Sequence, residues 1–242
     1  MGETVKGEPP MESYKSLEQL WVLKESSPDT RLHFMQHGKI TSYPKGHLCL
    51  RAAEDNSNIF FILKGKVQIY NLTKCGKKKT LFILGKNHIA NESLAWNSNT
   101  IFCETIERCS FYVIRREILL SLMEQDFQLT KALLQYQERK IWRLEHQLKN
   151  TVGSIYLERK LASKLWKLAR DYGIRTDKGI LIDMDLSITF LADLLGVPRE
   201  TASRVCRKLA DFGLILIEKK KIYILDAEKM ALFYKNGSFV RT

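Results

Sequence analysis

Between residues 40 and 114 the apolar positions come in short runs, at 47–50, 58–63, 67–72, 80–84, 101–105 and 110–114. Turn residues separate them: Pro44-Lys45-Gly46, Glu54-Asp55-Asn56-Ser57, Lys64-Gly65-Lys66, Gly76 and Gly85. Short runs at this spacing predict an antiparallel sandwich or barrel, because no helix of ordinary length fits between the breaks. Lys74-Cys75-Gly76-Lys77-Lys78-Lys79 lies between two of these runs and reads as a solvated hairpin tip. It lacks the GxxxxGK[ST] pattern with which a phosphate-binding loop opens a helix.

The period then changes. From about 118 to 151 there is no Gly or Pro, and Leu134, Ile141, Leu148 and Ile155 recur every seven residues with Leu144 and Val152 between them. This predicts one long helix whose apolar stripe faces a partner helix. Gln137 and Thr151 interrupt the stripe, so a long autonomous coiled coil is not expected. Self-association and packing on the chain's own domain both satisfy the pattern. Tyr136 and Trp142 flank the stripe and are placed to pack on the strand domain. Gly153-Ser154 ends the helix and offers a Ser cap to a second one over 155–172, with Leu157, Leu161, Leu165 and Leu168 on one face and Gly173 as its stop. Residues 180–184 read as a short strand.

The stretch 186–209 is the most informative. Ser187 is placed to cap a short helix with Leu191, Leu194 and Leu195 on its apolar face. Ala192 is small where a second helix crosses, and Gly196 permits a left-handed backbone at the turn. Pro198 suits the start of the next helix, where its missing N–H leaves no bond unmade. That helix buries Val205 and Leu209 and presents Arg199, Glu200, Ser203 and Arg204 at its exposed front. Gly213 stops it. Strands at 214–217 and 221–225, joined through Glu218-Lys219-Lys220, then form a basic wing. The prediction is a winged helix-turn-helix that binds double-stranded DNA. A plain helical hairpin followed by a strand pair is the alternative.

Charge supports the DNA reading. The 242 residues carry 39 Lys plus Arg against 27 Asp plus Glu, a formal net charge of +12 that favours a polyanionic partner. Arg pairs bidentately with guanine and Glu accepts from cytosine, so Arg199, Glu200 and Arg204 at that exposed front suit base edges, with Ser203 and Ser187 at the same surface. Arg207, Lys208 and the wing lysines Lys219, Lys220 and Lys221 are better placed for phosphates, which orient without reading sequence. The 45% apolar content excludes wholesale disorder. No apolar run reaches the ~18 residues of a membrane helix, and the first residues lack the apolar core of a secretory signal, so a cytoplasmic protein with a flexible lead is expected. The five cysteines include no CxxC and are expected to stay reduced, without a disulfide framework or zinc.

A strand sandwich, a long helix and a winged helix-turn-helix, in that order, resemble the Crp/Fnr family of bacterial transcription regulators. The strongest element is Gly196-Val197-Pro198-Arg199-Glu200-Thr201-Ala202-Ser203-Arg204, which holds together two recognition-helix patterns of that family, Arg-Glu-Thr-x-x-Arg and Glu-x-x-Ser-Arg. The resemblance implies an α+β architecture. It comprises an N-terminal lead (1–29), an effector-binding antiparallel β-roll of the cyclic-nucleotide-binding type (30–117), a dimerisation helix (118–152) and a DNA-binding domain (153–242). It also implies a homodimer that reads an inverted repeat. Ser203 favours a TTGAT half-site and Arg199 a TGTGA one, with GA common to both. An activator would also contact RNA polymerase.

The resemblance makes cyclic AMP a poor fit. The family's nucleotide-binding members carry Gly-Glu-Leu and then Arg-Ser-Ala. Here the matching stretches are Gly85-Lys86-Asn87 through Leu94 and Asn99-Thr100-Ile101. Asn99 replaces the Arg that pairs with phosphate, and a neutral amide cannot supply that charged bidentate partner. Glu145-His146 stands where the family's Thr-Ser pair reads the base. A small organic effector is expected instead, with no bound cofactor or metal. The Asn-rich stretch 85–100 is similar to that of the halogenated-phenol-sensing regulators of anaerobic bacteria. Asn91, Glu92, Asn99, Trp142 and His146 are the effector-binding candidates. Three alternatives remain. Thiols or a haem on His88 could sense redox state or gases on the same scaffold, or the strand domain could serve as a non-enzymatic cyclic-nucleotide module. A cupin-like metal enzyme would need a ligand cluster, and His33, His37, His47 and His88 are too dispersed for one. No enzymatic activity is expected.

Overall fold

The computed structural model describes residue 17 and residues 20–74, 76–149 and 156–237. The chain forms two compact units that divide between Trp142 and Arg143, with Leu72–Lys79 grouping with the second.

In the first unit a 3-10 turn (Trp21–Leu23) and helix α1 (Pro28–His37) precede seven strands: β1 (Gly38–Tyr43), β2 (Leu48–Leu50), β3 (Asn58–Lys64), β4 (Val67–Leu72), β5 (Lys78–Leu84), β6 (Phe102–Thr105) and β7 (Cys109–Arg115). They form two sheets, ordered β1-β7-β3 and β2-β6-β4-β5. The described pairings within both sheets are antiparallel. This is the predicted roll of strands. β3 and β7 are apolar on both faces because each face meets its own core. Phe60, Ile62, Phe111 and Val113 point between the sheets toward Val67, Ile69 and Cys103. Ile59, Phe61, Tyr112 and Ile114 point the other way, onto Phe34, Leu119, Leu129 and Leu133. Alternation along a strand thus divides one apolar run between two cores.

The expected lead is different in its second half. Leu20, Val22 and Leu23 are buried in the helix-side core, and α1 packs there through Phe34. α1 begins where Ser27 accepts from the Thr30 N–H, with Pro28 in its first turn. β1 also escaped the pattern reading. It pairs along its whole length with β7, from Gly38 opposite Ile114 to Tyr43 opposite Cys109.

The expected single helix over 118–152 is two helices, α2 (Arg116–Gln125) and α3 (Phe127–Lys149). Asp126 divides them. Its Oδ1 accepts from the Gln128 and Leu129 N–H groups at 2.9 and 3.2 Å, and its Oδ2 from the Ser27 N–H at 2.8 Å. A carboxylate that satisfies the first free N–H groups of α3 starts a helix rather than continuing one. On α3, Leu134 and Ile141 are each 55% exposed, so the described part of the seven-residue stripe is open to solvent. Tyr136 does pack on the strand domain, stacked on Trp21 at 5.1 Å, whereas Trp142 is exposed. The Leu148 side chain, Thr151, Val152, Ile155 and the proposed Gly153-Ser154 break lie outside the described residues.

The second unit holds α4 (Leu157–Tyr172), β8 (Gly173–Thr176), β9 (Gly179–Ile182), α5 (Ile188–Leu195), α6 (Arg199–Asp211), β10 (Ile215–Glu218), β11 (Lys221–Ile224) and α7 (Ala227–Asn236). The sheet order is β10-β11-β9-β8. β8 and α7 were not expected. α7 is capped by Asp226, which accepts from the Glu228 and Lys229 N–H groups, and it buries Met230 and Phe233.

Candidate nucleic-acid interface and effector site

The helix-turn-helix forms as its local chemistry predicts. Ser187 Oγ accepts from the Phe190 N–H at 3.1 Å and starts α5. Leu191, Ala192, Leu194 and Leu195 are buried. Gly196 ends the helix in the left-handed region (φ 71°), its N–H bonding the Ala192 carbonyl at 2.8 Å. Pro198 then sets up α6.

α6 buries Ala202, Val205, Cys206 and Leu209 along one side. Glu200, Ser203, Arg204, Arg207 and Lys208 fall on the opposite arc by helical geometry, and Arg199, in the first turn, lies at its edge next to Cys206. All are exposed except Ser203, which is half-buried. The structure therefore collects the predicted readers and the two helical phosphate contacts on one face. Lys208 is not a free cation, because its Nζ lies 2.7 Å from Glu158 Oε1. The Lys208 hydrogen bond, with Arg204 nearby, holds the Glu158 carboxyl below the usual carboxylate range.

The wing pairs β10 with β11, Glu218 opposite Lys221, around a two-residue turn of Lys219 and Lys220. Both turn lysines are exposed. Lys219 adopts φ 57°, a conformation usually left to glycine in such a turn. Lys221 is tethered to Asp185 at 3.2 Å. Ser187, the remaining member of the predicted interface, is half-buried and committed to capping.

The effector candidates are divided. Asn91, Glu92 and Asn99 lie in the segment between β5 and β6, Trp142 ends the first unit's share of α3, and His146 belongs to the second unit. Asn91 is buried and staples the start of β3, with Oδ1 accepting from the Phe60 N–H at 2.8 Å and Nδ2 donating to the Asn58 carbonyl at 2.9 Å. Asn99 is buried too, and its Nδ2 donates to the Glu54 carbonyl at 3.3 Å. Both amides thus serve the loop framework. Glu92 accepts from the Thr100 N–H at 2.8 Å and its hydroxyl at 2.7 Å.

Two cations that the sequence reading passed over converge on the same backbone. Lys140 Nζ donates to the Asn91 and Glu92 carbonyls at 3.1 and 3.4 Å, and burial pulls its ammonium below the ordinary lysine range. Arg116 is 2% exposed. It donates to the Ser93 and Asn56 carbonyls at 2.7 and 2.9 Å, and its Nε is buried without a partner. One helical turn before Lys140, the Tyr136 hydroxyl accepts from the Ile89 N–H at 3.0 Å. α3 thereby grips residues 89–92 at two successive turns. An i, i+4 Tyr-Lys pair on α3 was the available signal, but only the fold shows what it faces.

Among the described residues no group of three or more His, Cys, Asp or Glu is placed to hold a metal ion. No helix among them is long and apolar enough to cross a membrane.

A β-roll followed by a winged helix-turn-helix defines an architecture that couples a sensor domain to a DNA-binding head. Two family models match the chain: the cyclic nucleotide-binding domain over residues 40–126 and the Crp-like helix-turn-helix domain over residues 159–233. The CRP-like cAMP-activated global transcriptional regulator of Mycobacterium tuberculosis is 25% identical over 191 residues, covering 78% of this chain and 85% of the relative. The global nitrogen regulator of Synechococcus elongatus is 26% identical over 202 residues, covering 78% and 86%. The structure of a CooA mutant from Carboxydothermus hydrogenoformans shares the fold, with TM-score 0.69, 20% identity and 89% and 94% of the two chains covered. The chain belongs to the Crp/Fnr family of transcription regulators, which are DNA-binding proteins and not enzymes.

Proposed function

We propose that this protein is a cytoplasmic homodimer that binds an inverted repeat in double-stranded DNA and is switched by a small organic effector other than cyclic AMP. One observation carries the DNA reading: α6 buries four apolar or small residues on one side and leaves Glu200 and Arg204 exposed on the other, with Arg199 exposed at the edge of that face. These side chains and Ser203 read the bases of a TTGAT- or TGTGA-like half-site, with Arg207, Lys208 and the wing lysines on phosphates. The exposed Leu134 and Ile141 supply the seam between protomers. As an activator the dimer would also engage RNA polymerase.

The effector is an organic acid. Lys140 and Arg116 are cations held by backbone carbonyls, and among the described residues neither forms a salt bridge with a carboxylate. The Glu92 carboxylate attracts Lys140 from beyond ion-pair distance, and an organic anion would balance the remaining positive charge. Glu92 and Trp142 stay in the proposed effector set. Asn91 and Asn99 shape its backbone, and the neutral Asn99 argues against a nucleotide phosphate. An effector shifts DNA affinity only as far as it prefers one pose of the dimer.

The test is selection of random duplexes by the purified protein, paired with a thermal-shift screen of organic acids and phenols against cyclic AMP. Enrichment of an inverted repeat with a GA core, lost in Arg204→Ala while the dimer persists, is the expected result. Failure to enrich any duplex, with or without stabilising compounds, overturns the reading.

A further inference from the structure

The β-roll contains a thiol cluster that DNA recognition does not use. Cys103 and Cys109 are buried in the core between the sheets, and the half-buried Cys49 packs against it. β2 and β6 are antiparallel neighbours whose register breaks at this point. Leu48 faces Glu104 and Leu50 faces Cys103, so Cys49 is the extra residue of a bulge. In a bulge two residues of one strand oppose a single residue of the other. Cys49 and Leu50 therefore share Cys103 as their partner.

From the bulge Cys49 packs against the core that holds Cys103. Interaction with the Cys49 thiol, burial and the nearby Cys109 and Glu104 groups raise Cys103 well above the ordinary thiol range. The Cys49 S–H itself points to the His47 carbonyl, 4.0 Å away. Cys109 is engaged elsewhere. It donates to the Lys66 and Glu107 carbonyls at 3.2 and 3.4 Å, and burial, with Glu107 beside it, pushes its thiol up to about 11.

We propose that Cys49 and Cys103 form a reversible disulfide by exchange with a low-molecular-weight disulfide of the glutathione class. Cys49 is the point of entry because it is the more exposed of the two. Its thiolate attacks one sulfur of oxidised glutathione, the S–S bond of that molecule breaks, and one glutathione leaves with the proton Cys49 gave up. Cys103 then attacks Cys49 Sγ in the mixed disulfide, and the second glutathione leaves with the Cys103 proton. Two protein thiols are oxidised and one small disulfide is reduced to two thiols. The second step is the slower one, because Cys103 is seldom ionised and exchange needs the thiolate.

The experiment uses the full chain in glutathione buffers of increasing oxidised fraction, with acid quench, alkylation and peptide mass spectrometry. A linked Cys49–Cys103 peptide is expected, with two of the five thiols lost and both recovered on adding reductant. Cys109→Ser should give the same link. Cys103→Ala should stop at a glutathione adduct on Cys49, and Cys49→Ala should keep all its remaining thiols. Cys49 is half-buried, so that last variant tests the pairing without opening the core. The proposal fails if Cys49→Ala still loses two thiols, if the link includes Cys109, or if every thiol remains open to alkylation in the most oxidising buffer.

Discussion

Lys208 on the recognition helix donates from Nζ to Glu158 Oε1, 2.7 Å away in the first turn of α4. The pair anchors α6 to the helix behind it while occupying a cation of the proposed DNA-binding face. Lys208 is 53% exposed, so solvent screens the pair and its contribution to stability is small. Its effect on binding is larger, because DNA phosphates compete with Glu158 for the same ammonium. Glu158→Gln should therefore tighten non-specific DNA binding. It should also steepen the dependence of log K on log salt by about one, as expected for one more phosphate neutralised. Salt titrations of both proteins on a random duplex check this. An unchanged slope would mean that Lys208 does not reach phosphate.

The wing tip holds a lysine where a glycine would fit better. The Lys219 conformation, φ 57°, costs a side-chain-bearing residue ~1 kcal/mol. Lys219→Gly should raise the melting temperature of the second unit and weaken DNA binding at low salt across all sequences. Opposite signs for stability and binding distinguish a functional lysine from a neutral turn residue. A rise in both would remove the wing lysine from the interface.

Asp126 holds three backbone N–H groups at the junction of α2, α3 and the turn before α1. Burial pushes its carboxyl up. The Ser27 N–H, the Thr30 hydroxyl and the Leu129 and Gln128 N–H groups outweigh that and hold it below its ordinary 3.8. A group depressed on folding stabilises above its unfolded value, and the gain disappears as pH falls through the folded value. Asp126→Ala should destabilise by about 2 kcal/mol at pH 7, the scale of a lost helix cap with an additional buried donor. The difference from the parent protein should shrink below pH 3.8, which thermal melts across that range would show.

Leu134 and Ile141 leave an apolar stripe open on α3. Ile141→Lys places a charge on it and should convert the dimer to monomer in sedimentation velocity. Affinity for a single half-site should be kept and affinity for the inverted repeat lost, since only a dimer engages both half-sites at once. A variant that remains dimeric would place the subunit interface elsewhere.

The helix-turn-helix was legible residue by residue because its determinants are local. A capping Ser, a left-handed Gly, a Pro at the helix start and a 3.6-residue apolar period each act within a few positions of themselves. The same holds for the strands at 58–63 and 110–114, whose β-rich runs lie between turn residues. Where pattern reading went astray, a distant partner was responsible. Asp126 looks like one more polar helical residue until the Ser27 N–H, 99 positions away, is found on its carboxylate. β1 carries little apolar signal and is a strand because β7 lies alongside it.

The effector site was the least legible part. Asn91 and Asn99 stood out as polar residues in a loop, yet the fold uses their amides to hold Phe60, Asn58 and Glu54 backbone. Lys140 and Arg116 looked like ordinary surface cations in helical stretches, and folding placed them against carbonyls 49 and 23 residues away. Composition and short-range periodicity were enough for the order of strands, helices and helix-turn-helix along the chain and for the buried and exposed sides of α6, because both follow from forces between neighbours in the chain. Which polar groups are buried, which thiols share a core and which cations rest on backbone carbonyls follow from sheet register and helix packing, which bring together groups that are far apart in the chain.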